Sequence, residues 1–157
     1  VIREKNELDL IKRNLSPFHL TVTLECFDRR EELLKSTKSN LTISKLIEIM
    51  EYSYKNQIDV DFTYIVGLDN IETTISGLKK LSKYCTEFPR IQIFQPHNPY
   101  MEFFLDPDFE DFESFLKVRK AIEEDFINRG LKPKSWENYR PLWYTSIGNK
   151  QITGVRI

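Results

Sequence analysis

Asp59-Val60-Asp61-Phe62-Thr63-Tyr64-Ile65-Val66-Gly67-Leu68-Asp69-Asn70-Ile71-Glu72 reads as a strand that turns at a glycine and enters a capped helix. The first eight residues are rich in β-branched and aromatic types, which suit a pleated surface. Gly67 permits a sharp turn. Asp69 is the expected N-cap, with Glu72 three residues on completing a capping box, and Ile71, Ile75, Leu78 and Leu81 continue the helix at 3.6-residue spacing. A strand followed directly by a helix is the unit of a parallel α/β sheet.

The same unit recurs on both sides. Upstream, His19 to Cys26 alternates as a strand, Asp28 to Ser36 reads as a short helix, and Thr42 to about Asn56 as an amphipathic one with Leu46, Ile47, Ile49, Met50 and Tyr54 in its apolar stripe. Residues 3–14 are helical in pattern, and Pro17 stops them. Downstream, Pro89 closes the central helix and Ile91 to Gln95 is a third, short strand. Asp106-Pro107 opens a long helix to about Arg129, with Gly130 as its C′ residue. Leu131 to Ile157 is aromatic and irregular. The order α-β-α-α-β-α-β-α-tail predicts parallel strands joined by helical crossovers, with ligands gathering at the strand C-termini: Glu25-Cys26, Val66 to Asp69, and Gln95 to His97. Three parallel strands fall short of the usual five or six. The chain reads like the second half of a larger unit, completed by another polypeptide or by a second copy of itself.

Composition narrows the function. With 23 Lys plus Arg against 24 Asp plus Glu in 157 residues, no global positive field exists, and neither nucleic acid nor membrane is an expected partner. No apolar run reaches the roughly 18 residues of a span. The start, Val1-Ile2-Arg3-Glu4-Lys5, lacks the basic-then-apolar order of a signal peptide. Two cysteines, Cys26 and Cys85, make neither a disulfide framework nor a zinc site and point to a reducing, cytoplasmic compartment. GxGxxG, Walker A, GxSxG and HExxH motifs are all missing.

Three pieces together carry a resemblance to a family. Thr23-Leu24-Glu25-Cys26-Phe27-Asp28-Arg29-Arg30, Tyr64 to Glu72, and Pro89-Arg90-Ile91-Gln92-Ile93-Phe94-Gln95-Pro96 resemble the fourth, fifth and sixth βα units of the radical S-adenosylmethionine (SAM) enzymes, nearest the biotin-synthase-like branch. The resemblance covers roughly residues 3–128. It implies an α/β fold that is the C-terminal half of a partial (β/α) TIM-like barrel over residues 1–130, with residues 131–157 as an aromatic extension. It implies SAM as cofactor, with Glu25, Gly67, Leu68, Ile93, Phe94 and Gln95 as adenine and ribose walls. It also implies a small-molecule substrate and chemistry of the transferase or lyase kind. The departures are specific. Thr63 replaces the first Gly of the fifth-strand pattern Gly-x-Ile-x-Gly-x-x-Glu, and Asn70 stands where its Glu is expected. The cluster motif CxxxCxxC is absent, so the [4Fe-4S] cluster would be held by residues outside this chain, on an N-terminal half-barrel in the same gene or a separate chain. The alternative is a non-catalytic α/β module that self-associates through its open sheet edge and aromatic tail.

Each candidate has a plain structural reading beside the functional one. Glu25 would accept hydrogen bonds from a ribose hydroxyl or the SAM ammonium, or else cap a helix or pair with Arg29 or Arg30. Gly67 is a close-approach glycine, a turn glycine, or both. Asp69 and Glu72 are expected to be a cap. Cys26 is a relay thiol or an inert buried one, and Cys85 is packing. His97, in a Pro-braced loop, would contact substrate or shuttle a proton, or is an ordinary surface histidine. His19 is expected to be structural. Trp136 to Thr145 is aromatic-rich and suits a cap or interface, with Arg140 able to meet a substrate carboxylate. No catalytic residue is assigned, and no metal ligand within the chain.

Overall fold

The computed structural model describes residue 2 and residues 4–131, so the aromatic extension from residue 132 and Arg140 lie outside the described residues. The order of elements is α1 (Lys5–Asn14), β1 (His19–Leu24), α2 (Arg30–Leu33), α3 (Ser36–Ser39), α4 (Ile43–Lys55), β2 (Asp59–Val66), α5 (Ile71–Ser82), β3 (Arg90–Ile93), α6 (Pro99–Glu102), a 3-10 turn (Pro107–Phe109) and α7 (Phe112–Ile127). The strands form one parallel sheet in the order β1-β2-β3, with Thr21 opposite Asp61, Thr23 opposite Thr63, and Thr63 opposite Arg90. The chain is therefore α/β, built on a small three-stranded parallel sheet.

Alternation along the strands decides where the core sits. Val22, Leu24, Val60, Phe62, Tyr64, Val66 and Ile91 point to one face. There they meet Leu46 and Met50 of α4, Leu78 and Leu81 of α5, and Phe115, Val118, Ile122 and Phe126 of α7 in one buried cluster. A smaller cluster of Leu8, Ile49 and Ile58 packs α1 onto α4 and meets Leu20 on that same face. Thr21, Thr23, Asp61, Thr63, Ile65, Arg90 and Gln92 occupy the other face, and all but Asp61 are half-buried or exposed. Parallel sheets are normally covered on both sides. Among the described residues this one has its helical layer on one side only.

Several boundaries differ from the expectation. β1 ends at Leu24 rather than Cys26, and β3 runs Arg90–Ile93 rather than Ile91 to Gln95. Asn70, not Asp69, caps α5, its side chain accepting from the Thr73 N–H at 2.8 Å. The helix expected from Asp28 to Ser36 is split into α2 and α3. Asp106-Pro107 starts only one 3-10 turn; α7 begins anew behind Asp111, which accepts from the Ser114 N–H at 2.8 Å. Gly130 lies past the end of α7 at φ +74°, as a C′ glycine does.

Candidate functional site

Three chain segments leave the C-terminal end of the sheet, and Asp69 ties two of them together. Its buried carboxylate accepts from the Phe27 N–H at 2.6 Å, the Asp28 N–H at 3.1 Å and the Tyr64 hydroxyl at 2.8 Å. The turn after β1 is thus bolted to the turn after β2. Burial, reinforced by the Asp69 carboxylate, holds the Tyr64 hydroxyl well above its ordinary pKa, so it remains a donor. Beyond β3, the Phe94 N–H donates to Val66 O at 2.8 Å and the Asp106 N–H to Gly67 O at 2.8 Å, which draws the 94–106 segment over the end of β2.

That segment governs the fate of the expected site residues. Gly67 adopts φ +112°, a conformation that favours glycine, and a Cβ there would meet Leu105 Cδ1 at 3.2 Å and Phe94 Cβ at 3.3 Å. Gly67 is buried beneath these side chains, and Leu68 beside it is buried too. Ile93 is half-buried against the core, Phe94 and Gln95 are half-buried, and His97 is exposed. Glu25 lies differently. It is half-buried and pairs with Lys38 rather than with Arg29 or Arg30. It lines a cleft of about 380 Å³ along β1, an edge strand among the described residues, with Leu20, Val22, Leu46 and Ile49 among the apolar lining and Arg30 and Lys38 among the polar. The two arginines have other partners: Arg29 bonds Glu32 and Phe104 O, and Arg30 donates to Cys26 O, Lys38 O and Leu41 O.

Both cysteines are buried and free. Burial, and secondarily Asp69, pushes the Cys26 thiol up to about 12, so the thiolate a relay or nucleophile needs is suppressed. Burial raises Cys85 as well.

One constellation was not foreseen. At the opposite, N-terminal end of the sheet, His19 Nε2 lies 3.1 Å from Asp61 Oδ1, and His19 Nδ1 lies 3.7 Å from Glu87 Oε1. Asp61 is fully buried, while the side chains of His19 and Glu87 are 30% and 41% exposed. Glu87 is brought there by a backbone clip, Thr86 N–H to Val60 O at 2.9 Å and Val60 N–H to Thr86 Oγ at 2.9 Å. The one sequence signal is an aspartate between the apolar Val60 and Phe62 of β2.

Comparison with family models, curated proteins and solved structures returns no match for this chain.

Proposed function

We propose that this chain is one part of a radical SAM active site, a segment of a (β/α) barrel whose polar sheet face is the inner wall. The observation that carries the reading is the one-sided sheet: α4, α5 and α7 pack on one face, and the other presents Thr21, Thr23, Thr63, Arg90 and Gln92. A barrel segment has this form, with helices outside and the strand faces turned to the lumen.

The side chains suit SAM in part. Glu25 is a half-buried carboxylate in a cleft, able to accept from a ribose hydroxyl or an ammonium at charge-assisted strength. Gln95 offers an amide two residues past the end of the third strand. Gly67 and Leu68 support this wall from beneath. The cluster does not suit this chain, because two separate, buried cysteines cannot supply three ligands. It belongs on a half-barrel bearing CxxxCxxC. Such a cluster, once reduced by an external one-electron donor, would supply the electron that cleaves SAM, and the chemistry would be hydrogen abstraction from a small-molecule substrate. This chain's residues orient the cofactor and exclude water. A reducing, cytoplasmic setting suits both the cluster and two free thiols.

A second reading rests on its own observation. β1 is an edge strand among the described residues, and Leu20, Val22, Leu46 and Ile49 line the cleft along it. Proteins seldom leave such an edge bare, and a non-catalytic module would assemble through it. Mixing the chain with a CxxxCxxC-bearing half-barrel under anaerobic conditions, with iron and sulfide to assemble the cluster and SAM and dithionite added, separates the two. A brown iron–sulfur chromophore and 5′-deoxyadenosine formation support the enzyme. Stable self-association without SAM turnover supports the module.

A further inference from the structure

We infer that His19, Asp61 and Glu87 form a site for a divalent transition-metal cation at the N-terminal end of the sheet, remote from the strand ends assigned to SAM. One ligand atom from each residue lies within 4.8 Å of the other two. An ion bonded at about 2.0–2.2 Å to imidazole nitrogen and carboxylate oxygen in a tetrahedral site holds its ligand atoms about 3.3–3.6 Å apart. His19 Nε2 and Asp61 Oδ1 stand at 3.1 Å, a few tenths of an ångström inside that range.

The three residues come from three separately anchored places. His19 opens β1. Asp61 lies in β2, diagonally across the ladder, since its register partner is Thr21. Glu87 follows the Thr86 clip onto Val60. The parts also differ in freedom as a binding site needs. Asp61 is wholly buried within β2. Glu87, long and 41% exposed, can swing in as the third ligand, and its exposure leaves an entry path from solvent. Three protein ligands leave positions for water, the arrangement of an open rather than a closed site. One imidazole with two carboxylates suits the first-row divalent ions, of which Zn2+ is the probe of choice and Co2+ its spectroscopic substitute.

The sequence makes the test clean. His19 and His97 are its only histidines, and both cysteines are buried. Zn2+ is titrated calorimetrically into the chelator-treated chain, and Co2+ is followed by its visible absorbance. Saturation at one ion per chain is expected, with at least tenfold weaker binding in His19→Gln and in Glu87→Gln and unchanged binding in His97→Ala. The two substituted residues are partly exposed, so the variants retain the fold, checked by circular dichroism. Absence of saturable binding, binding that survives either substitution undiminished, or loss in His97→Ala overturns the proposal.

Discussion

Asp69 shows how one side chain can look like a helix cap and be something else. Asp, Asn, Ser and Thr all favour the N-cap, because a short acceptor satisfies a free helix N–H. Two such residues stand side by side at 69 and 70, and local rules do not choose between them. The tertiary structure does: the turn after β1 presents the N–H groups of Phe27 and Asp28, and only a carboxylate set one residue earlier reaches them. Asp69→Ala should therefore cost far more than a cap. With two backbone donors and the Tyr64 hydroxyl left without their acceptor, we expect a loss of roughly 3 kcal/mol in urea unfolding. A loss within about 0.5 kcal/mol would show that the turn has other support. The buried thiol gives a prediction in pH. The folded value of Cys26, about 12, exceeds its ordinary value of 9.0. Its contribution to stability is thus complete below about pH 9 and is lost as pH rises from there toward 12. Tyr64 shifts in the same direction. The urea midpoint should fall across that window, and Cys26→Ala should fall less steeply. Equal slopes in both proteins would contradict the assignment.

At the scale of elements, the long periodic segments were legible and the short ones were not. β2 occupies the expected 59–66, α5 keeps its expected apolar stripe, and α4 keeps all of its stripe but Tyr54, which is exposed. Each carries enough residues for its period to declare itself. The Asp-Pro signal at 106–107 is a genuine start, but of a single turn. A second start signal at Asp111 follows too soon for pattern alone to rank the two, and packing ranks them instead, with the ring centroids of Phe109 and Phe115 4.9 Å apart between the two pieces. Helix α5 makes a further point. Gly77 sits in its interior, where alanine usually stabilises by up to about 1 kcal/mol. Here an added Cβ would lie 2.5 Å from the Phe27 ring, which packs against Tyr64 at a centroid distance of 5.1 Å. Gly77→Ala should lower the thermal midpoint, and the paired change Gly77→Ala with Phe27→Leu should recover part of the loss. A raised midpoint in the single variant would mean the ring moves aside freely.

For the whole molecule, the parallel topology follows from the order of strands and helices, whereas the one-sided core found among the described residues was not read from the sequence. Residues that meet through register are harder to see. His19 and Asp61 are 42 positions apart, and only the pairing of Thr21 with Asp61 makes them neighbours. The covering of Gly67 was equally hidden, because it depends on Leu105 and Phe94 folding back across the end of β2. At this scale the account rests on the polar sheet face and the Glu25 cleft being where the cofactor lies. The direct measurement is a titration of the isotope-labelled chain with SAM, followed by two-dimensional amide NMR, which detects even weak binding without the cluster. The account predicts saturable shifts confined to Thr23, Glu25, Thr63 and Gln95 and their neighbours, abolished by Glu25→Ala. A spectrum unmoved by SAM, or shifts unaffected by that substitution, would contradict it.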